Sequence, residues 1–390
     1  MSGARPWAVN PEATRWTAPG TGHTAVVAEF HRSLPGYRPT PLVGLPALAE
    51  RLGVRGVAVK DESDRLGLPA FKALGASWAV NRAISAHLGL PPARTFAELA
   101  ARATGTGLTL VTATDGNHGR ALARIARLLG LAARVHVPED LAAPTLAAIE
   151  GEGAMLVRTD LRYDEAVMDA AAGTAGRPGD LLVQDTAWPG YEEVPAWIVE
   201  GYATLFAEID AQRAGRVDLV VVPTGVGSLL QAAIGHYRAA SRPHRPALLA
   251  VEPVTAACVT RSLRAGTPVT VDTTSPTVMA GLNCGTISSI AWPVIRDGLD
   301  AGVGVTDGEA LDACAVLHRA GVAAGPCGAA ALAGVVAAAA LPELASSHPL
   351  GALRTPQAGC EETVGVRSRA DVNVLLISTE ASAGEQARGQ

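Results

Sequence analysis

Apolar runs alternate with longer amphipathic stretches through most of the chain. Runs such as Leu108–Thr112 and Asp218–Val222 predict strands, and amphipathic stretches such as His118–Leu129 predict helices. A closing apolar run at Val372–Ile377 predicts the last strand. Strands that alternate with helices usually pair in parallel, so the pattern predicts an α/β fold in which parallel sheets are flanked by helices.

Three regions break this alternation. Residues 1–30 are polar and predict an arm that packs on the body of the protein or on a second subunit. The run from 91 to 107, rich in Pro, Gly and Thr, predicts a break between elements. Residues 321–341 carry no charge, but they are mostly Ala and Gly and include Pro326. They therefore predict a buried helix after a Gly-rich turn rather than a membrane span.

The composition narrows the classes of function. The chain has 390 residues, enough for two domains or one large one, and its net charge of -5 gives no case for a nucleic-acid or membrane partner. Its five cysteines include no Cys-x-x-Cys pair, which predicts a reducing cytoplasm and no structural zinc. Residues 1–22 contain no apolar signal core. A cytoplasmic location and no bound metal are therefore predicted.

The stretch from Lys60 to Gly75 contains both lysines of the chain. Lys60 is predicted to end a strand, a polar turn follows, and Lys72 is predicted to begin a helix. A lysine at such a place can act as an amine nucleophile when desolvation or a neighbouring cation lowers its pKa. The alternative is a solvated surface lysine at the start of a helix.

A second polar segment, Thr112–Gly119, joins a predicted strand to a predicted helix. Its glycines allow a tight turn, and the helix amides after it face any anion bound there. Asp115 is a potential acid or base, and Asn117 can both donate and accept hydrogen bonds. The alternative is an Asx turn that only caps the helix.

A third segment, Thr224–Ser228, has the sequence Thr-Gly-Val-Gly-Ser between a predicted strand and a predicted helix, the geometry of a phosphate cradle. It lacks the Gly-Lys-Ser/Thr of a nucleotide P-loop, and Leu230 stands where a dinucleotide fingerprint has its third glycine. A single phosphate monoester therefore suits the loop better than ATP or NAD. The alternative is a tight strand-to-helix turn without a ligand.

A fourth segment, Val183–Tyr191, follows a predicted strand and carries Asp185 together with two aromatic residues. The alternative here is a helix-capping loop with packed aromatic side chains. Together the segments offer a lysine nucleophile, a carboxylate-binding loop and a phosphate cradle, each at a strand end of an α/β chain.

Pyridoxal phosphate requires this combination: a lysine that forms an aldimine, a phosphate site and a partner for the ring nitrogen. The closing strand leads to Ser378, whose hydroxyl supplies that partner. A hydroxyl does not hold the ring nitrogen protonated as a carboxylate would, so the electron sink is weaker. That suits β-elimination, in which the carbanion discharges quickly into a leaving group. The alternative from another class is a non-catalytic α/β ligand-binding protein.

These segments resemble the motifs of fold-type II pyridoxal phosphate enzymes. The matching motifs are Pro39-Thr-Pro-Leu42, Lys60-Asp-Glu-Ser63, Phe71-Lys-Ala-Leu-Gly75, Asp115-Gly-Asn-His-Gly119, Gly225-Val-Gly-Ser228 and Leu376-Ile-Ser378. Within that superfamily the chain is similar to the diaminopropionate ammonia-lyases rather than the serine/threonine dehydratases. Three features carry this: Asp115 before Gly-Asn-His, the loop Gln184–Tyr191, and Met279–Thr286 followed by Ile290-Ala-Trp-Pro293. The resemblance covers roughly residues 35–380.

The resemblance implies roles for individual residues. Lys72 forms the internal aldimine and is the base for the L-substrate, and Asp115 is the base for the D-substrate. Asp185 contacts the substrate amino group. Asn117 lies near the ring hydroxyl or the substrate carboxylate, and Ser378 faces the ring nitrogen. The residues implied to bind the phosphate are Gly225, Val226, Gly227 and Ser228.

The resemblance also implies a two-domain fold like that of the tryptophan synthase β-subunit. The large cofactor-binding domain comprises 1–85 and 205–390, and the small domain comprises 86–204. The implied reaction is α,β-elimination of 2,3-diaminopropionate to pyruvate and ammonia in a homodimer, with the L form as substrate and, through Asp115, the D form as well. A serine/threonine dehydratase or a β-replacement enzyme for another β-substituted amino acid is the alternative. The chain departs from the family at Pro69, at Gly325–Gly328, which lacks an acidic residue, and after Glu380.

Overall fold

The computed structural model describes part of the 390-residue chain: 4–19, 24–114, 116–139, 141–161, 163–213, 215–341, 344 and 369–381. The chain divides into two compact units. Unit one comprises Met1–Gly20, Thr40–Asp64 and Phe206–Gln390, and unit two comprises Thr21–Pro39 and Arg65–Leu205. Unit one differs from the large domain expected from sequence because 21–39 and 65–85 belong to unit two.

Strands and helices alternate along most of the chain, as the apolar pattern predicts. Numbered in chain order, the strands are β1 (Trp7–Val9), β2 (Leu42–Gly44), β3 (Gly56–Asp61), β4 (Thr109–Ala113), β5 (Ala132–Pro138), β6 (Met155–Thr159), β7 (Asp180–Leu182), β8 (Leu219–Pro223), β9 (Ala247–Pro253), β10 (Ala301–Val305) and β11 (Asn373–Ser378). The helices are α1 (Thr24–Arg32), α2 (Pro46–Leu52), α3 (Lys72–His87), α4 (Phe96–Ala103), α5 (Asn117–Leu129), α6 (Ala143–Glu150), α7 (Tyr163–Ala175), α8 (Glu193–Gln212), α9 (Ser228–Tyr237), α10 (Cys258–Ala265), α11 (Ala291–Gly298), α12 (Asp307–Arg319) and α13 (Pro326–Ala339).

The described strands of unit one form a sheet in the order β1-β10-β9-β8-β11-β3-β2. The inner strands are parallel, and the outer strands β1 and β2 are antiparallel to their neighbours. Every residue of β8 and β9 is buried, as expected for parallel strands that are covered on both faces. Leu376 of β11 pairs with Val221 of β8. Two residues further on, Ser378 is therefore level with Pro223, at the edge where the Thr224–Ser228 loop leaves the sheet.

The described strands of unit two form a second sheet, all parallel, in the order β6-β5-β4-β7. Val111 of β4 pairs with Leu182 of β7. Because parallel strands end at the same edge of a sheet, the segment that carries Asn117 and the segment that carries Asp185 leave from this edge together. The sequence-based expectation of parallel sheets flanked by helices is confirmed.

Helix α3, which Lys72 begins, lies in very close contact with α8. A Cβ added to Gly201 of α8 would lie 2.6 Å from the backbone oxygen of Leu74, and one added to Gly75 would lie 2.6 Å from the Tyr202 ring. No side chain fits at either position, so the glycines allow the two backbones to meet directly. Close backbone contact of this kind fixes the position of the helix start, and with it the Cα of Lys72.

Several elements were not predicted from the hydrophobic pattern. The polar N-terminal stretch contains β1, which pairs with β10, and it also contains α1. The run from 91 to 107 contains α4, whose cap is Thr95: its Oγ1 accepts a hydrogen bond from the backbone of Glu98. The spacing Thr95-x-x-Glu98 is a helix-start signal that outweighs the surrounding Pro and Gly residues.

Residues 326–339 form the buried helix that was predicted for the uncharged C-terminal stretch. Within the part of the chain that the structure describes, no helix is both long and apolar enough to cross a membrane.

Candidate active site

Lys72 occupies the position at which α3 begins, and its side chain is 22% exposed. Its Nζ donates a hydrogen bond to Asp185 Oδ2 at 2.5 Å. The rings of Phe71 and Tyr202 pack beside it with their centroids 4.8 Å apart. Burial raises the pKa of the Tyr202 hydroxyl, and the charge of Lys72 opposes that shift. Lys72 is thus a partly exposed amine, paired with a carboxylate and bordered by apolar rings.

Asp185 is buried, and its neighbour Gln184 holds it in place. The Gln184 side-chain oxygen accepts hydrogen bonds from Thr112 Oγ1 at 2.8 Å and from the backbone of Ala113 at 3.0 Å. Its Nε2 donates to Asp185 Oδ1 at 3.3 Å. The backbone N–H of Gln184 donates to the Tyr191 hydroxyl, which itself donates to the Leu182 carbonyl. The loop after β7 is therefore tied to the end of β4, so that Asp185 has a fixed place.

The aromatic residues of that loop pack on one another. Trp188 and Tyr191 stack with ring centroids 4.4 Å apart and an interplanar angle of 18°. The two rings pack against each other, as the alternative interpretation of this loop predicts. Asp185 instead accepts a hydrogen bond from Lys72. A catalytic role of Asp185 stays a prediction.

His118 joins this group, although no role was predicted for it from the sequence. It is 2% exposed, its Nε2 lies 2.8 Å from the Val183 carbonyl oxygen, and its Nδ1 lies 3.9 Å from Asp185 Oδ2. Burial lowers the pKa of His118 below its ordinary value, Asp185 raises it and Lys72 lowers it further. The sequence contains one signal for His118: it lies in the first turn of the helix that follows strand β4, within the motif Asn117–Gly119.

Asn117 is the first residue of α5, at the end of the segment that follows β4. Asp115, predicted as a base, lies outside the described residues. Thr114 Oγ1 accepts hydrogen bonds from the backbone of Gly116 at 3.0 Å and of Gly119 at 3.1 Å, which places a threonine hydroxyl at the first turn of α5.

The glycine-rich loop of unit one leads directly from β8 into α9. Gly227 has φ +99°, which an L side chain rarely adopts, and a Cβ there would lie 2.8 Å from Ile295 Cδ1. A Cβ on Gly225 would lie 3.0 Å from Cys284 Sγ and 3.1 Å from the Gly281 oxygen. Glycine is therefore required at both positions. The loop leads into the start of α9, and a helix start of this kind is a common binding place for anions.

Ser378 ends β11 at the same edge of that sheet. Its Oγ is buried, and among the described residues it has no hydrogen-bond partner. A Cβ added to Gly328 would lie 2.7 Å from that Oγ, so glycine leaves the hydroxyl its space. A buried hydroxyl without a partner is costly unless a ligand satisfies it. This orphaned hydroxyl and the glycine cradle fit the ring nitrogen and the phosphate of pyridoxal phosphate.

No metal centre accompanies these groups in the described ranges, where no three or more His, Cys, Asp or Glu side chains are placed to hold an ion.

Comparisons with known proteins give consistent results. The family model described as "Pyridoxal-phosphate dependent enzyme" matches residues 33–350. Diaminopropionate ammonia-lyase of Salmonella typhimurium is 39% identical over 291 residues, which are 72% of this chain and 72% of that protein. The crystal structure of the selenomethionine holo enzyme of the same name from Escherichia coli has a TM-score of 0.85 at 32% identity, covering 98% of this chain and 94% of that one. The Escherichia coli complex with an aminoacrylate-PLP azomethine reaction intermediate has a TM-score of 0.82 at 31% identity, covering 97% and 94%.

Proposed function

Because this chain belongs to the pyridoxal-phosphate dependent enzyme family, and within it to the diaminopropionate ammonia-lyases, we propose that it converts 2,3-diaminopropionate to pyruvate and ammonia by α,β-elimination. The observation that carries the proposal is the hydrogen bond of 2.5 Å between Lys72 and Asp185. The amine of Lys72 is partly exposed, and the chain has one other lysine. An amine nucleophile with an adjacent carboxylate suits a substrate that carries two amino groups.

Residues of each unit fit a different part of pyridoxal phosphate. In unit two, Lys72 would hold it through its amine. In unit one, the amides of Gly225–Ser228 would bind its phosphate and the Ser378 hydroxyl its ring nitrogen. When bound, the cofactor supplies a ring that draws electrons away from the substrate Cα and so acidifies the Cα proton.

The side chains of the chain supply binding and proton transfer. Asp185 accepts a hydrogen bond from an ammonium group, at present that of Lys72, and a substrate ammonium would satisfy it equally well. Lys72 is the base that takes the Cα proton of the L-substrate, and Asp115 is the base for the D-substrate. The buried position of Asp185 makes an unpaired carboxylate costly there, which favours a cationic substrate.

Substrate identity is tested by assay of ammonia and keto acid with diaminopropionate, serine and threonine. We expect pyruvate and ammonia from diaminopropionate, with kcat/KM at least about 10²-fold above that for serine or threonine. Faster keto acid formation from serine or threonine would assign the protein to the dehydratases. Absence of turnover with all three would reject the proposal.

The cradle is tested by Gly227→Asp, which places a Cβ against Ile295 and a carboxylate beside the expected phosphate. We expect the purified variant to contain no cofactor, measured by the visible absorbance of the bound cofactor. Gly235→Asp is the matched control, since Gly235 lies on the same helix with open space around its Cα. Normal cofactor content in the Gly227 variant would locate the phosphate elsewhere.

Stereochemistry is tested by Asp115→Asn. A general base contributes about 10²–10⁴-fold in rate, so we expect that much loss on the D-substrate and largely retained activity on the L-substrate. Equal loss on both would assign Asp115 to a shared step. No loss on either would leave it no role as a base.

We also propose a cytoplasmic location and a homodimer. The location rests on the cysteine spacing and the assembly on the family resemblance. Light scattering of the purified protein is expected to give twice the chain mass of 39.7 kDa. A single chain mass at micromolar concentration would contradict the dimer.

A further inference from the structure

We infer that His118 Nδ1 and Asp185 Oδ2 together form an ammonium site, to which the β-ammonium group of the substrate donates one hydrogen bond at each atom. His118 is then a specificity residue, which selects a protonated amine over a hydroxyl or a halide at the β-position. The inference rests on the proposed function, since it adds a second acceptor to the contact of Asp185 with the substrate amine.

The surroundings of His118 make its Nδ1 an acceptor. The Val183 carbonyl, 2.8 Å from Nε2, can only accept, so Nε2 carries the hydrogen of the neutral ring and donates it. Burial lowers the pKa of His118, which keeps the ring neutral. Nδ1 is then a lone pair that is buried and, among the described residues, has no hydrogen-bond partner. Such an acceptor is costly unless a ligand satisfies it.

The distance between the two acceptors suits one donor group placed between them. Asp185 Oδ2 lies 3.9 Å from His118 Nδ1. An ammonium nitrogen about 2.8 Å from both atoms would see them at an angle of about 90°. The N–H bonds of an ammonium group are roughly 110° apart, so a small bend in each hydrogen bond lets one ammonium serve both atoms.

Lys72 fills one half of the ammonium site. Its Nζ donates to Asp185 Oδ2 at 2.5 Å, whereas Nδ1 of His118 is not reached by it. The amine of Lys72 is attached to the start of α3, while a substrate ammonium is not attached to that helix. The site thus receives an ammonium group already, and its second acceptor is left for a group that approaches from another direction.

The β-substituent of the substrate decides how far the ammonium site is satisfied. A β-ammonium has three hydrogens and a positive charge, so it pairs with both acceptors and compensates the buried carboxylate. The hydroxyl of serine has one hydrogen and no charge, and a β-halide has no hydrogen, so each leaves a buried acceptor unpaired. A site that hydrogen-bonds a substrate group rejects analogues that lack it.

The proton balance of elimination closes without a further donor. The β-ammonium arrives with three hydrogens. When the Cβ–N bond breaks, its electron pair stays on the nitrogen, which departs as neutral ammonia with the same three hydrogens. The Cα proton goes separately to Lys72 or Asp115, so His118 and Asp185 neither gain nor lose a proton.

The ratio of kcat/KM for diaminopropionate to kcat/KM for 3-chloroalanine tests the selection, because the β-chloro substituent donates no hydrogen bond. His118→Gln keeps an N–H for the Val183 carbonyl but removes the acceptor at the position of Nδ1. We expect the ratio to fall at least about tenfold, as for one buried acceptor lost. The same folded molecules convert both substrates, so a loss of folded protein cancels in the ratio. An unchanged ratio would overturn the inference.

Two further variants separate the acceptor from the histidine as such. His118→Asn loses the bond to Val183 but brings an amide oxygen near the position of Nδ1, so we expect a ratio within about threefold of the parent. His31→Gln is the matched control, because His31 is also fully buried, with Nε2 3.0 Å from the Leu74 carbonyl and Nδ1 on Thr204. We expect its ratio to be unchanged. A tenfold fall in either variant would contradict the ammonium site.

Binding of a small cation tests the ammonium site without turnover. In the full chain freed of cofactor and labelled with ¹⁵N-histidine, Lys72→Met removes the ammonium group from Asp185 Oδ2. We expect methylammonium to shift the Nδ1 resonance of His118 in a saturable manner, because a lone pair that accepts a hydrogen bond changes the shielding of its nitrogen. Methanol at the same concentration should leave it in place, as should methylammonium once Asp185→Asn is added. No shift with methylammonium, or an equal shift with methanol, would overturn the inference.

The ammonium site and the proposed function can fail separately. If methylammonium binds as expected but diaminopropionate is not converted, the site stands and the proposed function fails. If diaminopropionate is converted and His118→Gln keeps the parental ratio, the proposed function stands and the site fails.

Discussion

The two lysines of this chain sit beside carboxylates at almost the same distance, yet their surroundings differ. Lys60 Nζ lies 2.6 Å from Glu208 and also donates to the Thr40 carbonyl at 2.8 Å and to Gln212 at 3.0 Å. Its side chain is completely buried. All three hydrogens of its ammonium group are used, so the group is part of the interior of unit one.

Lys72 has its carboxylate at 2.5 Å, but its side chain is 22% exposed and it stands at a helix start. The length of an ion pair therefore does not distinguish a structural lysine from a reactive one. The two lysines differ in the exposure of the amine. They also differ in the carboxylate partner, because Asp185 accepts a second hydrogen bond from Gln184 that does not depend on Lys72.

Lys72→Met should have the largest effect on function. It removes the nucleophile and one base together, so we expect activity to fall at least about 10⁴-fold. Borohydride reduction and peptide mapping of the parent should place the pyridoxyl group on Lys72. A label on Lys60 in either protein would reverse the assignment of the two lysines.

Lys60→Met should have the largest effect on stability. It leaves Glu208 buried without its cation, which typically costs about 3–5 kcal/mol, while the activity per folded molecule is retained. Urea unfolding followed by circular dichroism measures the cost. The double change Lys60→Met with Glu208→Met should recover most of it, since an apolar pair replaces a buried ion pair well. Lost activity in a fully folded Lys60 variant would contradict a purely structural role.

Arg94→Ala extends the comparison to an exposed ion pair and should have the smallest effect. Arg94 and Glu29 are 68% and 38% exposed, and their hydrogen bond lowers the pKa of Glu29. Water and salt screen such a pair, so we expect no measurable change in melting temperature at physiological ionic strength. A clear decrease would show that exposure is a poor guide to the importance of ion pairs in this protein.

The sequence predicts the central strands well because a strand covered on both faces must be apolar throughout, as β8 and β9 are. It misses β10, because Ala-Gly-Val-Gly-Val has two residues of low strand propensity. A Cβ on Gly302 would lie 2.5 Å from Thr260 Oγ1, so the glycine serves a close contact that no local pattern reveals.

The candidate site shows the same limit. Lys72 and Asp185 could be named because Lys72 begins a helix, Asp185 follows the end of a strand, and both have side chains of obvious chemistry. The contact between them, and the bare Nδ1 of His118 beside it, depend on tertiary packing. A sequence pattern places a residue at the edge of a sheet, but it does not determine which of its atoms lack a partner.

The scarcity of lysine has a practical consequence for chemical modification. Two of the 32 basic residues counted as Lys or Arg are lysines, and one of these is completely enclosed. A reagent that acylates side-chain amines but not guanidinium groups therefore meets one accessible target, Lys72. In protein freed of the cofactor that this amine is proposed to hold, the amount of reagent that side chains consume would count the Lys72 sites of a preparation without any substrate. Immobilisation through lysine amines, by contrast, would attach the protein by the residue that we propose as its nucleophile.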